Sequence, residues 1–239
     1  LPFKIRHAEA YASFRNWIRS RWFAPGSLRQ HARSETRLAG VYAPFWTYDS
    51  DTTTSYEGDS GEHYYTTESV MTRVQGRPVQ SSRRVRHTRW HAVSGTVSNG
   101  FDDILVPAGR SLPVEYVGRL DPWDLKNMVP YADDYLSGFR AESYGVQLTE
   151  GFEAAKKTMA DAIQSSIRQD IGGDEQRIRS AQTRYENITF KHILLPVWVS
   201  AYRFRGKTYR ILINGRTGEV QGDRPTARGR SPGPSRPSP

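Results

Sequence analysis

Two carboxylate pairs, Asp102-Asp103 and Asp133-Asp134, are the residues best suited by type and spacing to acid–base or divalent-cation chemistry in this 239-residue chain. Adjacent aspartates in turn-rich sequence more often cap helices or accept loop hydrogen bonds, so the four enter as weak candidates only. His87 and His91 sit four apart in Arg86-His87-Thr88-Arg89-Trp90-His91 and on a strand would share a face able to grip a metal. No acid lies between them, and Arg83, Arg84, Arg86 and Arg89 would repel a cation. Exposed imidazoles on a basic strand are the simpler reading.

Gly206-Lys207-Thr208 has the end of a phosphate-cradling loop, but the position five before Gly206 is Ala201 and the flanks read as a hairpin. The Gly-x-Ser-x-Gly elbow of a serine hydrolase is absent. There is no cysteine, which excludes disulfides, thiolate nucleophiles and cysteine-based zinc or iron–sulfur ligation. The expectation is a chain with no catalytic residue, no metal ligand and no cofactor of its own, and therefore no enzyme.

Binding chemistry is the alternative. The formal charge of +9 invites a nucleic-acid reading. Residues 1–47 carry +6 and residues 221–239 carry +3, whereas the body from 48 to 220 balances 22 basic against 22 acidic residues. On that distribution the cationic excess belongs to the two ends. Arg15, Arg19 and Arg21 on an aromatic first helix, Trp46 in an aromatic strand, and Arg86, Arg89 and Trp90 further on are the candidate contacts to nucleic acid or a partner. Rings in a twisted sheet usually pack rather than stack on bases, so an unidentified protein partner is expected ahead of nucleic acid.

The elements that must position these residues follow from periodicity. Ala8, Tyr11, Phe14, Trp17/Ile18 and Trp22 recur at helical spacing and end at Pro25-Gly26, with a short second helix expected from Ser27 to about Ser34. From Gly40 the period becomes two. A meander of strands is expected through Pro107, broken by turns at Gly58-Asp59-Ser60-Gly61 and Asn99-Gly100-Phe101-Asp102-Asp103. Phe152, Ala155, Met159, Ala162/Ile163 and Ile167 form the stripe of a long helix over about 149–171, stopped by Gly172-Gly173. Strands resume at 177–190, 194–204 and 208–213, and Asn214-Gly215-Arg216-Thr217-Gly218 turns into a last short strand. Beyond Gly222 the composition shifts to Pro, Arg and Ser with no ring, the signature of disorder. No apolar run approaches the roughly 20 residues of a bilayer span. The first residues carry neither an initiating Met nor a signal peptide, which suggests a piece of something longer.

Leu1-Pro2-Phe3, Phe23-Ala24-Pro25, Gly40-Val41-Tyr42-Ala43-Pro44-Phe45-Trp46-Thr47-Tyr48-Asp49, Phe101-Asp102-Asp103-Ile104-Leu105-Val106, Asp170-Ile171-Gly172-Gly173-Asp174, Phe190–Trp198 and Asn214–Gly222 together carry a resemblance. In order and spacing they resemble a bacterial family of zinc-ribbon proteins. That family is often labelled primosomal protein N′ (replication factor Y), superfamily II helicase, or transcription-factor-IIB-type zinc-ribbon protein. The resemblance covers about residues 1–225. It implies an upstream Cys-x-x-Cys ribbon that would hold zinc, and further hydrophobic sequence downstream; this chain has neither. It transfers no catalytic residue, and the motor motifs that a helicase needs are missing.

The sequence therefore sets these expectations. The fold is α+β: a largely antiparallel sheet, one long helix at about 149–171, an aromatic N-terminal helix and a disordered Pro/Arg-rich tail. Residues 1–222 form a single domain, with 1–36 a helical lead-in, 40–107 a β meander, 121–171 mixed and helical, and 177–221 C-terminal hairpins; 223–239 form the tail. The function is a non-catalytic binding or scaffolding module, cytoplasmic, membrane-associated only through segments of a longer parent. The alternative is a nucleic-acid-associated replication protein without a motor of its own.

Overall fold

The computed structural model describes residues 1–19, 38–74, 77–204 and 207–223. The expected short helix at 27–34, Arg21 and the tail from 224 onward lie outside the described residues. In chain order the elements are α1 (His7–Arg19), β1 (Ala39–Val74), β2 (Arg77–Pro107), α2 (Val114–Val117), two 3-10 turns (Leu125–Asn127 and Asp133–Leu136), β3 (Arg140–Ala141), α3 (Leu148–Ile171), β4 (Glu175–Phe204), β5 (Lys207–Asn214) and β6 (Val220–Gly222). One sheet runs in the order β2-β1-β4-β5-β6, with β3 added parallel to β1 at Val41 and Tyr42.

More than half of the described residues lie in strands and about a quarter in helices. The α+β expectation is therefore corrected: this is a sheet-dominated chain. The physical reason lies in the glycines. β1 runs through Gly58-Asp59-Ser60-Gly61 as one 36-residue strand. A Cβ on Gly58 would stand 2.5 Å from the Arg177 carbonyl oxygen, and one on Gly61 would stand 2.8 Å from Thr88 Cγ2. These glycines admit neighbouring strands at close range instead of turning the chain. β2 likewise passes through Asn99–Asp103, where Asp103 takes φ 52° within the strand.

The described residues divide into two compact units. The first comprises 1–47, 105–151 and 191–223. Its sheet is covered on both faces, as strand alternation dictates for strands apolar on both sides. Ile211, Ile213 and Trp198 meet Ala10, Phe14 and Ile18, the buried stripe of α1. Leu212, Val197, Leu195, Phe45 and Ala43 meet Val117 and Leu120 on the other face. Glu9 Oε2 accepts the Arg6 backbone N–H at 2.7 Å, half of a capping box that starts α1. Asn214, fully buried, donates through Nδ2 to the carbonyls of Leu120 (2.6 Å) and Pro122 (3.2 Å) and accepts the N–H groups of Arg216 and Thr217.

The second unit comprises 48–104 and 152–190. Along β1 the alternate residues Tyr48, Ser50, Thr52, Thr54 and Tyr56 are buried, and along α3 so are Ala155, Met159, Ile163, Ile167 and Ile171. The hydroxyls buried in this layer are paired, as burial requires. Thr54 bonds Thr183, Thr52 donates to the Asn99 carbonyl, and Tyr56 donates to Asp170 Oδ2 at 2.5 Å.

Candidate functional site

β4 begins at Glu175, opposite His63: the Asp174 N–H donates to the Gly61 carbonyl, and His63 Nε2 stands 2.8 Å from Glu175 Oε1. Beyond that point β1 and β2 continue as a two-stranded ribbon among the described residues. Thr66–His87 (2.8 Å), Thr72–Ser81 (2.8 Å) and Glu62–His91 (3.9 Å) share one cross-strand register along it.

Among the described residues no third strand and no helix lies over it, and side chains on both faces are exposed. Tyr64 is 42% exposed, Tyr65 51% and Met71 72%. Successive side chains alternate between faces, so Tyr64 and Tyr65 mark the two sides. On one, the Arg89 guanidinium lies 5.2 Å from the Tyr64 ring centroid, and that ring stacks on His87 at 5.3 Å. On the other, Arg84 lies 3.9 Å over Tyr65. At the base Arg177 stacks on Trp90 at 3.7 Å. Arg83, Arg84, Arg86 and Arg89 are exposed, and none of the four forms an ion pair among the described residues. From 64 to 89 the sequence holds six arginines and one glutamate, a net of +5.

This corrects the sequence-level charge reading. The body is neutral only on average; its positive charge is concentrated on this ribbon rather than confined to the chain ends. Arg86, Arg89 and Trp90 are brought together here. Sequence reasoning missed Tyr64, Tyr65, Arg83 and Arg84 as site residues. The available signal was the arginine spacing 83-84-86-89 opposite Tyr-Tyr-Thr-Thr, hidden by summing charge over 173 residues.

The other candidates fall elsewhere. Trp46 is 8% exposed, with its indole N–H on the Val146 carbonyl at 2.9 Å and its ring against Tyr144 and His192, so it presents no face to a partner. The aromatic strand from Tyr42 to Tyr48 is packing, not a stacking platform. Arg15 and Arg19 are exposed on α1. His87 and His91 have separate partners, Thr66 and Glu62, and share no ligand site.

Asp102 and Asp103 do gather a third acid, Asp49: one carboxylate oxygen from each lies within 4.8 Å of the others. Both Asp49 oxygens are occupied, Oδ1 by the Asp103 N–H (2.8 Å) and Oδ2 by the Thr189 hydroxyl (2.7 Å). Asp49 therefore ties β1 to the Asp103 backbone in β2 and to Thr189 in β4. Asp133 and Asp134 lie in the first unit on the exposed 3-10 turn, where Asp133 accepts the Tyr131 hydroxyl at 2.7 Å. The first unit also holds a cavity of about 270 Å³ lined by Met128, Tyr131, Tyr135, Ile193, Tyr42 and His192. Burial pushes the His192 imidazole below its ordinary value and the Tyr42 phenol above its own.

No helix among the described residues is long and apolar enough to cross a membrane. No family model matches the chain, and the comparisons support neither the zinc-ribbon nor the primosomal label. No solved structure matches it. The chain is similar to uncharacterized protein YdjG of Bacillus subtilis (strain 168), 25% identical over 231 residues. That alignment takes in 96% of this chain and 64% of the relative's length.

Proposed function

We propose that the chain is a non-catalytic binding module that engages its partner through the β1–β2 ribbon, in a cytoplasmic setting. One observation carries this reading: exposed rings and guanidinium groups without an ion pair are concentrated on both faces of a two-stranded ribbon that no other described element covers. Two acids of the candidate carboxylate clusters accept hydrogen bonds that brace the fold: Asp49 takes the Asp103 backbone N–H, and Asp133 takes the Tyr131 hydroxyl. Exposed charge and aromatic area that folding leaves unburied is what an interaction surface requires. The alternative, a nucleic-acid-associated protein without a motor, is favoured by the ribbon's net charge of +5.

The test is a comparison of the intact chain with a variant carrying Arg83, Arg84, Arg86 and Arg89 as Gln. Binding to three defined polymers is measured at physiological salt: duplex DNA, anionic lipid vesicles and poly-glutamate. Binding to at least one, lost in the variant, is the expected result. Equal binding by both chains to every polymer, or none by the intact chain, would overturn the reading.

A further inference from the structure

We propose that the ribbon is an arm that enters the major groove of B-form duplex DNA and clamps phosphates on both of its walls. This rests on the reading of the ribbon as the binding surface and names its ligand.

Charge complementarity sets the class of partner. Four exposed arginines within seven residues, with no ion pair among the described residues to neutralise them, suit a polyanion whose charges are closely and regularly spaced. Same-face residues on a strand recur about every 6.7 Å, a repeat that follows a phosphate backbone. Arg84 and Arg86 lie on one face, and Arg83 and Arg89 on the other. A flat membrane would engage one face and leave two guanidinium groups in water. A groove offers phosphates on both sides. The B-form major groove, roughly 12 Å wide, admits a two-stranded ribbon, whereas the A-form groove of duplex RNA is too narrow and deep.

The rings decide between duplex and single strand. Binding of unpaired bases needs free aromatic faces. Tyr65 has Arg84 over its ring, and Tyr64 is stacked on His87 with Arg89 beside it. The tyrosines thus serve as supports that hold guanidinium planes in position. A fixed planar fork meets a phosphate bidentately and loses little freedom on binding.

The test is fluorescence anisotropy with a labelled 20-base-pair DNA duplex, run from 50 to 200 mM salt on the full chain. It is repeated on the Arg83, Arg84, Arg86 and Arg89→Gln variant and on a version with Lys at the same four positions. Each phosphate contact adds about 0.9 to the slope of log affinity against log salt, so the Gln variant should lose roughly 3.6 units of slope. Its affinity ratio between the two salt concentrations should then be on the order of 100-fold smaller than that of the intact chain. The Lys variant should regain most of the slope, which also reports that the substituted ribbon is folded. An unchanged slope in the Gln variant would overturn the proposal. So would tighter binding to single-stranded DNA, duplex RNA or anionic vesicles than to duplex DNA; if that binding fell in the Gln variant, the ribbon would remain the binding surface and only its ligand would be reassigned.

Discussion

Replacing Tyr56 by Phe removes one hydroxyl from the layer between β1 and α3, and its effect can be worked out from local geometry. The Tyr56 O–H donates to Asp170 Oδ2 at 2.5 Å, and Tyr56 itself is buried at 5% exposure. A hydrogen bond to a charged acceptor contributes about 1.5–3 kcal/mol net. Asp170 is exposed, so water replaces the lost donor, and the lower end of the range, about 1.5 kcal/mol, is expected. The bond to Asp170, followed by desolvation, pushes the Tyr56 phenol from 10 up to about 12. A raised acid favours its protonated form on folding, so this contribution is fully present below pH 10 and is lost as pH rises towards 12. Urea unfolding of wild type and Y56F at several pH values reads it directly. The stability gap should be about 1.5 kcal/mol at pH 7–9 and should shrink as pH climbs above 10. No gap at pH 7, or a gap that stays constant to pH 11.5, would refute the reasoning.

Asn214→Ala removes four hydrogen bonds from a fully buried position, and at about 1 kcal/mol each should cost roughly 3–4 kcal/mol in urea unfolding at unchanged m-value. Gly173 has φ 75°, and an added Cβ would lie 2.5 Å from Ser60 Oγ and 2.9 Å from the Gly61 carbonyl oxygen. Gly173→Ala should lower stability by about 1–3 kcal/mol, seen as a lower Tm by calorimetry. Because Asp49 is already engaged by Asp103 and Thr189, millimolar calcium or magnesium should leave Tm unchanged. A rise abolished by Asp49→Asn would instead make the aspartate trio a cation site.

Local periodicity was the legible part of this sequence. On the apolar spacing over 152–167, Ala155, Met159, Ile163 and Ile167 are buried, Phe152 half-buried and Ala162 exposed, and the period of two from Val41 matches a strand buried on both faces. The α1 stripe was legible in part: Phe14 and Ile18 are buried and Tyr11 and Trp17 half-buried, but Ala8 is exposed, the buried Ala10 was not on the expected stripe, and Trp22 lies outside the described residues. Fold class was not legible, because glycine has two uses. Gly58 and Gly61 look like punctuation in one dimension, and only the neighbours brought near by pairing show that they make room. The site was half legible for a related reason. Arg86, Arg89 and Trp90 stood out by type, but Tyr64 and Tyr65 join them only through the hairpin register. Charge averaged along the chain could not reveal charge gathered on one ribbon. Trp46 illustrates the reverse error, since a ring that suggests stacking is held inside by Val146, Tyr144 and His192.

Hydrogen exchange of the full chain, free and saturated with a DNA duplex, tests the central claim most directly. The account predicts slowed exchange in residues 64–74 and 77–89, on both strands of the ribbon, with α1 unchanged. Protection confined to α1, where Arg15 and Arg19 are exposed, or to the arginine-containing residues after 223, would contradict it.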